Sequence, residues 1–431
     1  MSKRKRGSQI MQKIREAAVK MASLSVYRGI LEQETVQALQ QLLQTGCHTL
    51  ETGDLLPFAR DWGAFFSSLC RKGRCDDFAG CLTQAALYDE NVFSLECAAG
   101  KEEFSPALCE AVERDLSLIL QLASLTPDDL LQDIPGAQDL QLPRWETGRP
   151  VPVMQNGDLP HIRRNMQAYY SCNGCGLYAR YRAFIWRGGK IVPVEHPDRT
   201  SMSDLKGYDL QRGMVVDNTV AFLKGLPANN CLLYGDRGTG KSSTVKAILN
   251  TYYTQRLRVI EMPKESLMEF PQLVDQIAAL PMKFIIFIDD LSFSQQDNTY
   301  ASLKAVLEGG LAARPANTLI YATSNRRHLV RETFSDRDGD EVHKGDTIQE
   351  SLSLADRFGL SVNFMLPDRA RYLDIIRKLA QQRGLDDYIP QLEVLGERWA
   401  TARGGRSPRC ATQFINAAEA QIRQKGSLED L

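Results

Sequence analysis

The run Gly235-Asp236-Arg237-Gly238-Thr239-Gly240-Lys241-Ser242 has the spacing GxxxxGK[ST] and is followed by Ser243 and the helix-like stretch TVKAILN. These residue types suit one chemistry. Glycines let backbone amides turn toward an anion, a helix start adds its dipole, Lys241 can bridge outer phosphates, and Ser242 can ligate Mg²⁺. About fifty residues on, KFIIFIDD ends an apolar run at Asp289 and Asp290. Carboxylates at the carboxyl edge of a buried strand stand where open α/β sheets bind ligands. Asp289 is expected to hold Mg²⁺ through water, and Asp290 to orient and deprotonate an attacking water. A third strand end, TLIYATSN, places Asn325 where it can touch a γ-phosphate or that water, with Thr323 and Ser324 as rivals. In ADRFGL, Arg357 can project from its own subunit to stabilise transition-state charge in a neighbour's site. In GGRSPRCATQF, Arg409 is placed to close over a nucleotide, with Arg406 as the rival.

Positioning these groups requires a particular alternation. The short apolar runs CLLY, LRVIEM, KFIIFID, TLIYAT and GLSVNFML are separated by helical stretches, apart from a longer connection before the last, which predicts a parallel sheet covered on both faces. Ahead of it, LYARYRAFIWRGGKIVPV reads as strand-rich, with Gly188-Gly189 as a hairpin turn. Residues 1–132 carry apolar positions at three- and four-residue spacing and predict a helical accessory domain. The prolines and glycines of 133–176 predict a linker. The remaining expected boundaries are 177–204 for the hairpin region, 205–367 for the nucleotide-binding α/β domain and 368–431 for a helical lid.

The order P-loop, IDD, TSN, ADRF and SPR resembles the AAA+ ATPases. Wording such as LLYGDRGTGKSSTVKA and SLADRFGL is similar to a bacterial family of AAA+ ATPases of unassigned function, over about residues 177–423. The resemblance implies an α/β P-loop NTPase fold with sheet order 5-1-4-3-2, a carboxy-terminal helical lid, ATP and Mg²⁺ as ligands, and a homo-oligomer with a hexameric ring as one form. It also makes LKGYDLQR similar to an adenine-side motif, with Gly207 and Tyr208 lining the base. ATP is favoured over GTP because no NKxD-type motif follows the fourth strand of the alternation. Hydrolysis is the leading reaction, with a remodelling or loading role. An ATP-controlled binding switch with little turnover is the alternative, and a P-loop kinase a more distant one.

The 52 basic and 53 acidic side chains leave a net charge of −1, so a general attraction to nucleic acid is not supported. Charge is nonetheless segregated, at +5 over residues 1–50, −10 over 51–150 and +4 over 151–431. The acidic helical region is therefore the candidate surface for a protein partner. The acidic stretch 334–346 reads as a solvated insertion loop. Charged residues interrupt the amino-terminal segment and no apolar run reaches the length of a spanning helix, so a cytoplasmic protein without a membrane role is expected. The ten cysteines read as small, buried, reduced residues, and Cys172 and Cys175 form a CxxC lacking the second pair that zinc needs.

Overall fold

The computed structural model describes residues 12–291, 303, 307, 315–325, 357–403 and 405–428. The acidic stretch 334–346, His328 and His343 lie outside the described residues. The chain divides into two compact units, Met1–Arg180 and Tyr181–Leu431. Among the described residues no helix is long and apolar enough to cross a membrane.

The first unit is helical: α1 (Lys13–Ala22), α2 (Glu34–Thr52), α3 (Leu55–Arg71), α4 (Phe78–Leu87), α5 (Val92–Ala98), α6 (Pro106–Ala123), α7 (Pro127–Leu131), α8 (Leu159–Asn173) and α9 (Gly176–Arg180). Helix starts follow the side chains that satisfy free amides. Asp54, Asp77, Ser105, Thr126 and Asp158 each accept a backbone N–H in the first turn of the helix they precede. The carboxylate of Asp115, fully buried on α6, accepts from the amides of Ser25 (2.8 Å), Val26 (2.7 Å) and Tyr27 (3.1 Å), fastening the turn after α1.

The expected linker over 133–176 is corrected by the structure. Trp145, Met154, Ile162, Met166 and Tyr170 are buried in the same core as α1–α6. Trp145 packs against Trp62, Phe65 and Phe78 with ring centroids 4.9, 5.1 and 5.9 Å away. Its neighbour Pro143 accepts a hydrogen bond from the Trp62 indole at 2.8 Å. Pro152 and Pro160 stand in the first turn of a 3-10 helix and of α8, where a missing N–H costs nothing. The cysteine expectation also changes: Cys97, Cys175, Cys231 and Cys410 are buried, whereas Cys70 and Cys172 are exposed and the other four partly so.

The second unit holds strands β1 (Ala183–Arg187), β2 (Lys190–Pro193), β3 (Cys231–Gly235), β4 (Leu257–Glu261), β5 (Lys283–Ile288), β6 (Thr318–Ser324) and β7 (Leu360–Phe364). Among the described residues they form one sheet in the order β2-β1-β4-β5-β6-β3-β7. Every neighbouring pair is parallel except the hairpin β1–β2, whose Gly188 and Gly189 both have positive φ. The hairpin region is thus not a lead-in to the sheet but its edge. Helices α10 (Asp209–Leu223), α11 (Lys241–Tyr252) and α12 (Phe270–Ile277) connect the strands. β6 is buried along its whole length, and its Tyr321 hydroxyl meets Thr219 of α10 at 2.7 Å. Three further helices, α13 (Arg369–Gln382), α14 (Ile389–Ala402) and α15 (Pro408–Lys425), enclose their own core around Tyr372, Ile376, Leu392 and Phe414.

In the first unit Asp89 is 7% exposed, and burial raises its carboxyl from the usual 3.8 to about 6, opposed by the Asn91 amide and helped by Glu32 and Glu90. The folded protein therefore holds this proton more tightly than the unfolded chain does. Its contribution favours folding at low pH and is lost as pH rises from about 4 to about 6. Asp89→Asn is expected to flatten that slope and to stabilise the protein near neutral pH by up to roughly 3 kcal/mol. Urea unfolding across this pH range measures it, and an unchanged slope in the variant would contradict the assignment.

Candidate functional site

The loop between β3 and α11 is built on positive φ. Gly235, Gly238 and Gly240 have φ of 130°, 76° and 93°. At Gly235 a Cβ would stand 2.3 Å from the carbonyl oxygen of Phe364, because β3 and β7 run side by side to that point. At Gly238 it would crowd Ser407 and Arg409, since the carbonyl of Gly238 accepts from the Arg409 amide at 3.1 Å. The start of α15 thus meets the loop backbone directly. Asp236 completes the junction: its amide donates to Phe364 O at 3.1 Å and its carboxylate accepts from Leu366 N at 2.7 Å.

Lys241 is 7% exposed, and its ammonium donates to the carbonyls of Gly235 (2.7 Å) and Asp236 (2.6 Å). Burial pulls its pKa below the usual lysine range, while Asp236, Asp289 and Asp290 oppose that fall. Ser242 Oγ donates to Asp289 Oδ1 at 2.6 Å, and the hydroxyl of Thr323 donates to the same oxygen. Asp290, at φ 51°, has its amide on Thr323 Oγ1 at 2.9 Å, and its carboxylate accepts from the side-chain amide of Asn325. The ends of β5 and β6 and the start of α11 therefore converge on two carboxylates.

A cavity of about 450 Å³ opens over this cluster. Among the described residues it is lined by Arg237–Thr244, Asp289, Asp290, Thr323 and Asn325, and by Pro408, Arg409, Thr412 and Gln413 of α15. Its remaining wall is Asp204, Leu205, Lys206, Arg212, Phe364, Ile375 and Leu379. Of the expected site residues, the structure brings together Arg237, Gly238, Thr239, Gly240, Lys241, Ser242, Ser243, Asp289, Asp290, Asn325 and Arg409. Gly235 and Asp236 support the loop from beneath. Arg406 is held instead by Glu397 on α14. Arg357 is half-buried in the turn before β7 and is not among the lining residues.

Gly207 and Tyr208 also fall outside the lining. The Tyr208 ring stacks on Phe364 with centroids 5.3 Å apart, and its hydroxyl donates to Met365 O at 2.6 Å. The neighbouring residues Asp204, Leu205 and Lys206 line the cavity, as do Ile375 and Leu379. Sequence reasoning missed Ile375 and Leu379 because in a helical pattern they are indistinguishable from lid core. Arg212 lay in the motif but carried no distinguishing signal.

A glycine-rich P-loop, a strand-end acidic pair and a three-helix unit meet at one cavity, as befits an AAA+ protein of unassigned function. Residues 179–422, more than half of the chain, match the family described as "Protein of unknown function (DUF815)", and the chain belongs to that family. It is also similar to the 26S proteasome regulatory subunit 6B homolog of Encephalitozoon cuniculi, 24% identical over 217 residues that make up 47% of this chain and 49% of that one. The Dictyostelium discoideum counterpart is 22% identical over 223 residues, 46% and 51% of the two chains. The chain therefore spans about half the length of the curated relatives it matches. Among solved structures, a point variant of Thermotoga maritima RuvB aligns with 52% of this chain and 65% of its own at 14% identity and a TM-score of 0.36.

Gly235 and Gly240 share a positive φ but differ in surroundings, as nothing lies within 4 Å of a Cβ at Gly240. Gly240→Ala is expected to cost about 1 kcal/mol of stability from backbone strain, and Gly235→Ala about 3 kcal/mol or more because β3 must part from β7. Thermal unfolding of the two variants checks this, and equal losses would show that the Phe364 clash is relieved without cost.

Proposed function

We propose that the protein hydrolyses ATP with Mg²⁺ held by Ser242 and Asp289, and that it works as a cytoplasmic homo-oligomer that remodels or loads a partner complex. The observation that carries this reading is the 2.6 Å approach of the loop hydroxyl to the strand-end carboxylate, inside a cavity that also contains Lys241. Two hard oxygen donors at the phosphate end of the cavity fit Mg²⁺. The ion would neutralise charge on the phosphates when bound.

The chain's own groups account for the rest. Loop amides bind the phosphates, and Lys241 exchanges its two carbonyl partners for phosphate oxygens. Asn325 fixes one oxygen of Asp290, so that the other can take a proton from water as the water oxygen attacks the γ-phosphorus. The bond to the bridging oxygen then breaks and ADP leaves. Arg409 meets the nucleotide from the lid, in preference to the paired Arg406. Arg357 is assigned to a neighbour's site, which accords with its position outside its own cavity. The curated relatives are by name subunits of a larger assembly, in keeping with an oligomeric mode of action. The acidic helical unit is the proposed surface for the partner.

The test combines nucleotide-dependent sizing with ATPase turnover. The unaltered protein is expected to assemble with ATP and to gain specific activity with protein concentration. Lys241→Ala should lose ATP binding. Asp290→Asn should bind ATP and turn it over about 10²- to 10⁴-fold more slowly. Arg357→Ala should remain folded and lose turnover. A fully active monomer, or an unchanged Arg357 variant, would overturn the assembled site; tight ATP binding without turnover would replace hydrolysis with a nucleotide-controlled binding switch.

A further inference from the structure

We propose that Cys70 and Cys75 are a reactive thiol pair that small-molecule disulfides convert to an intramolecular disulfide. This assigns a modification site to the helical unit and does not depend on the nucleotide reading. The pair brackets the turn that ends α3, in the run Cys70-Arg71-Lys72-Gly73-Arg74-Cys75.

Backbone bonds close this turn. The amide of Arg74 donates to Leu69 O at 2.9 Å and that of Gly73 to Cys70 O at 2.9 Å, the double closure by which a helix ends on a left-handed residue. That residue is Gly73, at φ 62°. The chain therefore reverses between the two cysteines, and the Glu146 amide then holds the Cys75 carbonyl at 2.8 Å. The reversal brings the two thiols into contact. Desolvation first, then the charge and hydrogen bond of the Cys75 thiol, push the Cys70 thiol above its usual value. Cys70 is exposed and Cys75 partly so, which opens both sulfurs to a small reagent. Cys172 is also exposed, but Cys175, the other half of its CxxC, is buried.

The turn is also basic. Arg71 pairs with Glu34 and Arg74 with Asp77, whereas Lys72 is exposed and pairs with no carboxylate among the described residues. A thiolate is favoured beside cations and disfavoured at the carbonyl end of a helix. Cys70 stands in the last turn of α3 and Cys75 beyond it, so Cys75 is the attacking thiolate and Cys70 the resolving thiol. The Cys75 thiolate attacks one sulfur of the small disulfide. A bond forms between them, the old S–S bond breaks, and one small thiolate leaves with the electron pair and takes a proton from water. Cys70 then gives its proton to solvent, and its sulfur attacks that of Cys75 and expels the second small thiol. Two cysteine thiols are oxidised while one disulfide is reduced to two thiols, and excess small thiol reverses both steps.

The probe is oxidised glutathione, applied to the reduced full chain. Remaining thiols are capped with N-ethylmaleimide and the cysteines mapped by mass spectrometry of tryptic peptides. Trypsin cuts after Arg71, Lys72 and Arg74, so a bond between Cys70 and Cys75 appears as two joined peptides. Fragmentation of the second peptide separates Cys75 from Cys81 and Cys97. The parent chain is expected to give the joined pair with no glutathione retained on it, and dithiothreitol to release it. Cys70→Ser should trap glutathione on Cys75 as a mixed disulfide, and Cys75→Ser should lose the joined pair. Neither side chain makes the bonds that close the turn, so both variants are expected to fold. Stable glutathione on Cys70 or Cys75 of the parent chain, or a bond from either to a third cysteine, would overturn the proposal. So would recovery of both as free thiols once glutathione has modified the exposed Cys172.

Discussion

A single carboxylate oxygen, Asp289 Oδ1, receives the hydroxyls of Ser242 and Thr323 and the amide of Asp290. Those donors come from the first turn of α11, from β6 and from the chain just past β5. The oxygen therefore sets the relative height of three elements whose ends must stand level if a phosphate, a metal ion and a water are to meet. Charge-assisted hydrogen bonds are short and directional, so they fix position as well as energy. The wholly buried β6 and the nearly wholly buried β5 behind them leave the strand ends little freedom to shift.

The second constraint is the approach of α15 to the glycine loop. Because the Arg409 amide bonds to the Gly238 carbonyl, α15 begins on the loop itself, and Ser407 caps that helix at the same place. This bond holds the loop backbone and the start of α15 together. Asp236 does the same for the chain between β7 and α13 by holding the Leu366 amide. The two contacts tie the chain entering α13 and the start of α15 to the residues that would surround the phosphates.

Much of this was legible in the sequence. The five apolar runs fall on β3 to β7 within a residue or two, and the order β7-β3-β6-β5-β4 across the sheet reads 5-1-4-3-2 when those five strands are numbered along the chain. Strand-end residues were legible because a buried strand has one polar exit, and chemistry collects there. Other features were not. Trp145 and its surroundings read as linker because proline and glycine content reports where regular structure stops, not where burial stops. Tyr208 looked like a base-contacting aromatic, yet Phe364 and the Met365 carbonyl satisfy it from behind. Which residue of GYDLQR faces the cavity depends on a left-handed φ at Tyr208 that no periodicity encodes.

The hairpin β1–β2 gives the sheet a particular kind of margin. Without it β4, a strand of five residues with four of them buried, would present a bare row of amides and carbonyls to any passing chain. β1 covers that row, and the new edge, β2, is four residues long and ends at Pro193, which has no N–H to offer. The second unit thus carries its own protection against edge-to-edge pairing, encoded upstream of the phosphate loop, and a fragment begun at that loop would leave β4 as a bare edge.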